Sequence, residues 1–237
     1  LSAVSEYFLQ YPREIVFSTK YNNTVSVEQQ NSPLTMGGKG LTNPTQNLAD
    51  AFGMANGKGI NEPGSGYDEV HPYVGRDPRF YMTFAYDGSE FTVNDKTQTI
   101  ETFERGKDAT ATNKTATKTG YYLKKLLSPQ AVWDGRTNNI TRTWILMRYA
   151  EVLLNYAEAM NEYCESPSQA PNDSIYKVVE LIRKRAELSP YKLPAGLTKE
   201  EMREVIRNER RVELAFEEHR FFDIRRWRLL DDPQEKA

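Results

Sequence analysis

The stretch from Thr198 to Arg228, TKEEMREVIRNERRVELAFEEHRFFDIRRWR, decides the fold. Thr198 and Glu201 have the T-x-x-E spacing of a capping box, in which each side chain satisfies a backbone N–H that a helix start leaves unpaired. A helix therefore begins at Thr198. Met202, Val205, Ile206, Val212, Ala215, Phe216 and His219 follow mostly at intervals of three and four, laying an apolar stripe along the side that meets a core. Glu209, Arg210, Arg211 and Glu213 surround the start of the Leu214-Ala215-Phe216 run, and Arg220, Asp223, Arg225 and Arg226 interleave with Phe221, Phe222, Ile224 and Trp227. Two readings of these charges stay open. They are ordinary helix ion pairs worth about 0.2–0.5 kcal/mol each, or a partly buried network that fixes the geometry of the helix end more than it adds stability. Neither makes a catalytic site.

Upstream, Ile145, Leu146, Tyr149, Val152, Leu153, Tyr156, Ala157 and Met160 make a wide helical stripe starting near Trp144 and Ile145, and Ala150, Ala157 and Ala159 permit close approach of a neighbour. After the Pro167 to Pro171 break, Asn172 or Asp173 caps a second helix through Ile175, Val178, Val179, Ile182 and Ala186. The short connection predicts an antiparallel pair. Pro190 and Pro194 then end the second helix before Thr198 starts a long third one.

The first part of the chain has a different composition. A short helix through Val4, Tyr7 and Phe8 and a strand at Glu14-Ile15-Val16-Phe17-Ser18 give way at Lys20 to Asn, Gln, Thr, Gly and Pro, which favour turns. Asn43-Pro44-Thr45-Gln46 leads into a short helix through Leu48, Ala49, Ala51 and Phe52. Gly37-Gly38-Lys39-Gly40 and Asn56-Gly57-Lys58-Gly59 lack the strand, long helix and Lys-Ser/Thr pair that a phosphate cradle needs, so they read as turns. Phe80, Met82, Phe84 and Tyr86 alternate up to Asp87-Gly88-Ser89, with Phe91-Thr92-Val93 beyond, which is a β-hairpin signal. Residues 107–119, KDATATNKTATKT, are polar and low in complexity and read as a mobile loop or an edge extension. The chain thus divides into a loop-rich portion at 1–143, with short helices and a hairpin, and a helical scaffold at 144–237. The fold class is mainly α.

Length, charge and composition exclude several functions. The 237 residues suffice for one large domain or two small ones. With 38% hydrophobic residues and a mean hydropathy of -0.70, the chain holds no apolar run of transmembrane length. Lys+Arg 31 against Asp+Glu 33 gives no electrostatic reason to expect nucleic acid. Cys164 is the single cysteine, which rules out an intrachain disulfide, and His71 and His219 lie far apart, which speaks against a histidine-rich zinc site. No metal or cofactor is expected. The start, LSAVSEYFLQYPREIVF, has no basic region followed by a sustained apolar run, so the sequence reads as cytosolic or as one whose leader has been removed.

Several segments together resemble one family. Arg148-Tyr149-Ala150-Glu151-Val152-Leu153-Leu154-Asn155-Tyr156-Ala157-Glu158-Ala159-Met160-Asn161-Glu162, Ile182-Arg183-Lys184-Arg185-Ala186, and Glu209-Arg210-Arg211-Val212-Glu213-Leu214-Ala215-Phe216 with Arg220-Phe221-Phe222-Asp223-Ile224-Arg225-Arg226-Trp227 resemble the C-terminal part of SusD/RagB proteins. Asn43-Pro44-Thr45-Gln46 and Arg76-Asp77-Pro78-Arg79-Phe80 match in the expected order. The resemblance implies a mainly helical fold supported by tetratricopeptide-type helix pairs, and a glycan-binding lipoprotein at the outer membrane of Bacteroidetes-type bacteria. Such a protein delivers oligosaccharide to a SusC-like TonB-dependent transporter, without catalysis, and is held at the cell surface by an N-terminal lipid anchor. This chain lacks the family's N-terminal half with that anchor, and its usual Pro/Asn-rich tail, and so reads as a fragment.

By position, the irregular Lys20 to Asn31 segment resembles a region of ligand contacts and offers Tyr21, Asn22, Asn23 and Gln29. Tyr67, Tyr73 and Trp133 are further loop aromatics able to stack on the apolar face of a sugar ring, although each also suits ordinary packing. Two other functions remain: a glycoside hydrolase, which needs paired carboxylates about 5–10 Å apart across a cleft, and a protein-interaction scaffold built on the helix pair.

Overall fold

The computed structural model describes residues 14–20, 22–134 and 140–231. Helix outweighs strand, 37% to 12%, and the backbone divides into two compact units. The first holds the described residues up to Arg148 together with Arg185–Tyr191, and the second holds Tyr149–Lys184 and the residues from Lys192 on. No helix among the described residues is long and apolar enough to cross a membrane. The expected helix at Val4 to Phe8 lies outside the described residues.

In the first unit the elements are short: β1 (Ile15–Ser18), β2 (Asn22–Asn23), α1 (Ser26–Asn31), α2 (Gln46–Ala51), α3 (Pro78–Thr83), β3 (Phe84–Ala85), β4 (Glu90–Val93), β5 (Lys96–Thr99), β6 (Tyr122–Leu123), β7 (Thr141–Arg142) and β8 (Ile145–Arg148). They pair as two-stranded antiparallel sheets, β1 with β8, β2 with β7, β3 with β6 and β4 with β5. Such small sheets need packing on one face to persist. Val25, Met36, Phe91, Val93, Ile100, Tyr122, Leu127 and Ile140 form one core that takes in residues of β4 and β6. The Glu28–Arg142 ion pair, buried at both ends, ties α1 to β7, and the Ser128 backbone N–H donates to Glu28 at 2.8 Å.

The expected hairpin at residues 80–93 is displaced. Residues 78–83 are helical because Asp77 caps the Arg79 N–H at 2.9 Å and Pro78 occupies the first turn, where its missing N–H costs nothing. The hairpin is instead β4–β5, with Val93 opposite Lys96, and turns through Asn94 and Asp95 at φ 55° and 56°. Both central residues of a type I′ turn need positive φ, which Asn and Asp tolerate. Residues 107–119 carry no regular element, yet Asp108, Ala109, Ala116 and Thr117 are buried. Asp108 anchors them by accepting from the Thr35 hydroxyl at 2.5 Å and the Glu101 N–H at 3.0 Å.

The second unit is built from α4 (Tyr149–Tyr163), α5 (Ser174–Arg185, all but its last residue), α6 (Lys199–Glu213) and α7 (Arg220–Arg226). Ala157 of α4, Ile175 and Val179 of α5, and Met202 and Ile206 of α6 share one core. α6 begins with the expected capping box: the Thr198 hydroxyl accepts from the Glu201 N–H at 3.2 Å, and the Glu201 carboxylate accepts from the Thr198 N–H at 2.8 Å. Two expectations change here. Ile145 to Arg148 form β8 rather than the start of a helix, because β1 pairs with them. The long third helix breaks after Glu213, where Phe216 and Glu218 take φ 63° and 68°, and resumes as α7.

Candidate functional site

An aromatic cluster of the first unit is organised by Arg76. Its side chain is buried, and among the described contacts its guanidinium meets main-chain carbonyls rather than carboxylates: Gly53 at 3.3 Å, Pro72 at 2.9 Å, Ala49 at 2.6 Å and Phe52 at 2.5 Å. Its charge faces the rings of Phe80 at 4.5 Å and Tyr67 at 5.4 Å, a cation–π arrangement. Burial draws the guanidinium below its ordinary range, but arginine does not deprotonate in proteins. Beside it, Asp77 holds Arg79 in a buried pair at 2.7 Å while capping α3, so one carboxylate fixes both the helix start and the arginine.

Around this hub stand tyrosines. Tyr73 lies 4.3 Å from Tyr86, 6.1 Å from Phe80 and 6.2 Å from Tyr121, ring centre to ring centre. The Tyr81 hydroxyl donates to the Tyr73 carbonyl at 2.6 Å and accepts from the Arg76 N–H at 3.0 Å. The Tyr121 hydroxyl donates to the exposed Gln46 amide oxygen at 3.0 Å. Burial raises the phenols of Tyr73, Tyr86 and Tyr121 above their usual value. They therefore stay protonated donors throughout the neutral range. Tyr121 is buried, whereas Tyr67, Tyr73 and Tyr86 are half-buried rings beside the exposed Gln46 amide, an arrangement that suits a ligand with an apolar face and a hydroxyl rim.

The sequence candidates sort into two groups. Tyr67 faces the Arg76 guanidinium, and Tyr73 stacks on Phe80, the other ring that faces it. Asn22 and Asn23 lie exposed on β2 opposite Arg142 and Thr141, and Asn23 accepts from the Thr141 hydroxyl at 2.8 Å. Gln29 is half-buried on α1, where its carbonyl accepts from the Lys39 N–H at 2.9 Å. Trp133 packs half-buried against the first unit's core, and its N–H donates to the Asn94 amide oxygen at 2.9 Å. Tyr21 lies outside the described residues. Arg76, Tyr86, Tyr121 and Gln46, which join this cluster, are not among the sequence candidates. A charged residue flanked by Tyr67, Tyr73, Phe80 and Tyr81 was the available signal. No group of three or more His, Cys, Asp or Glu side chains among the described residues is placed to hold a metal ion.

The SusD family model matches residues 12–237. A solved SusD-like protein from Bacteroides fragilis is 30% identical with a TM-score of 0.75, over 95% of this chain and 46% of that one. A solved SusD-like carbohydrate-binding protein from the same species is 26% identical with a TM-score of 0.70, over 91% of this chain and 42% of that one. The curated SusD-like protein P2 of Formosa agariphila is 43% identical over 91 residues, 36% of this chain and 17% of that protein. The chain thus spans less than half the length of these relatives.

Proposed function

This chain belongs to the SusD family, and from that membership we propose that it is the glycan-binding portion of a non-catalytic surface lipoprotein. The whole protein binds oligosaccharide at the outer membrane and hands it to a SusC-like TonB-dependent transporter. The observation that carries this reading is the family match over residues 12–237, supported by the solved carbohydrate-binding relative. We place the stacking contact at Tyr73 and Tyr67, with Tyr86 and Gln46 bonding hydroxyls at the rim and Tyr121 orienting Gln46 from beneath.

The carboxylates argue for binding over hydrolysis. Glu158 pairs with Arg226 at 2.7 Å, Glu162 with Arg203 at 2.6 Å, Glu151 with Arg210 at 3.8 Å and Glu209 with Arg183 at 3.7 Å. A general acid must hold a proton near neutral pH. Glu158 does not: burial would raise its carboxyl, but hydrogen bonds from Arg226 and Trp227 outweigh this and hold it below the usual carboxylate range. Calorimetry of the full-length protein against a glycan panel tests the reading. We expect saturable binding without turnover, weakened about tenfold by Tyr73→Ala, which corresponds to ~1.4 kcal/mol. Binding to no glycan, or release of shortened products, would refute it.

A further inference from the structure

The charges around the tyrosine face restrict the kind of sugar it takes. Gln46 and Asp50 stand one turn apart on α2, where the Gln46 amide nitrogen donates to Asp50 Oδ1 at 2.7 Å while its oxygen accepts from Tyr121. Asp50 is therefore tied to the rim. Asp87 follows Tyr86 in the chain, and its charge helps raise the phenol of Tyr73. Its Oδ1 accepts from the backbone N–H groups of Thr102 at 2.8 Å and Phe103 at 3.2 Å. Both aspartates are half-buried, and among the described contacts neither Oδ2 meets a donor or is sealed from solvent. Each presents an open carboxylate oxygen.

The cations of the same stretch are committed elsewhere. From Gln46 to Asp87, which holds every residue of the face but Tyr121, the lysines and arginines are Lys58, Arg76 and Arg79. Lys58 donates to the Pro63 carbonyl at 2.7 Å, and Arg79 is paired with Asp77 at 2.7 Å. Arg76 is 1% exposed, with its fork spent on main-chain carbonyls. Its charge offsets one carboxylate at a distance but is out of a ligand's reach. Glu69, on the turn between Tyr67 and Tyr73, adds an exposed carboxylate.

This balance separates sugars by charge. A sugar hydroxyl can donate to Asp50 or Asp87, and a bond to an ionised acceptor is stronger than a neutral one. A carboxylate or sulfate on a sugar has only acceptor oxygens, so it gains no bond there and meets like charge instead. Tyrosine and amide donors serve a hydroxyl and an anion alike, which leaves the aspartates to decide. We propose that the tyrosine face takes neutral glycans and rejects uronate-bearing and sulfated ones, with Asp50 and Asp87 setting this selectivity. The inference rests on the reading of this face as the ligand site and adds the class of ligand.

Calorimetry of the full-length protein with matched glycans tests it. Each neutral glycan of the panel, laminarin and galactan among them, is titrated beside its sulfated form, and methyl-esterified oligogalacturonate beside the free acid. At low salt the neutral member of each bound pair should bind about fivefold or more tighter, and the gap should shrink in molar salt as the charges are screened. In Asp50→Asn/Asp87→Asn, whose amide oxygens can keep the bonds that each Oδ1 accepts, the gap should close about threefold or more. Anionic members bound as tightly as their neutral counterparts, or a gap unchanged in the folded double variant, would overturn the selectivity and leave the site standing. A panel in which nothing binds would overturn the reading of the site and this inference with it. If the double variant fails to fold by circular dichroism, the salt dependence of the parent decides.

Discussion

At the scale of single residues, Arg76 shows how a charge can be buried beside aromatic rings. Its fork spans main-chain carbonyls from α2, the turn after it and Pro72. A lysine at this position keeps the charge but offers one ammonium in place of a planar fork, so some of these carbonyls lose their donor. We expect Arg76→Lys to destabilise the protein by about 2–3 kcal/mol, the cost of leaving buried acceptors unpaired, measured by chemical denaturation. Unchanged stability would show that the fork is dispensable. The same hub explains why only part of the site was legible in the sequence. Tyr67 and Tyr73 stand out as aromatic residues on turns, whereas Tyr121 joins them from 48 residues further along than Tyr73, through β6 pairing with β3. No local pattern encodes that meeting.

At the scale of elements, the legible parts are those whose signals are local. Thr198 with Glu201, and Thr45 ahead of Gln46, declare their helices because capping is decided within one turn. Thr198→Ala should cost about 1 kcal/mol of stability, read as a lower denaturation midpoint. Its pH dependence has a definite sign. The Thr198 backbone N–H and hydroxyl hold the Glu201 carboxyl below its ordinary 4.5. The folded value is depressed, so this contribution is complete above pH 4.5 and disappears as pH falls through the folded value. The backbone N–H survives Thr198→Ala, so the difference from the parent should narrow in acid only by the share of the hydroxyl's bond to Glu201, and a constant difference would show that the hydroxyl does not hold the carboxylate. The illegible elements are those decided at a distance. Ile145 to Arg148 continue the helical period of α4, yet they are a strand because β1, far upstream in the chain, pairs with them. Phe80 and Phe84 fit a period of two and a spacing of four equally well, and Asp77-Pro78 tips the choice to helix.

At the scale of the whole molecule, the proposed division of labour puts ligand contacts in the first unit and a charge-locked scaffold in the second. The lock lies in the Thr198 to Arg228 segment. Asp223 on α7 accepts from Arg210 of α6 at 2.6 Å and from Arg226 at 3.0 Å, and Arg210 also donates to the Asn155 amide oxygen of α4 at 2.6 Å. Asp223 and Arg210 are both buried, so removing the carboxylate strands a guanidinium away from water. Breaking a buried pair in this way costs ~3–5 kcal/mol, and Asn155 with Glu151 at 3.8 Å softens it towards the lower figure. We expect Asp223→Ala in the full-length protein to lower the melting temperature clearly while the rank order of bound glycans stays the same, because the substitution touches none of the tyrosines around Arg76. Thermal unfolding paired with calorimetry on the same glycan panel separates the outcomes. A changed rank order at unchanged melting temperature would mean that the charge network itself selects the ligand, and the division between scaffold and site would have to be redrawn.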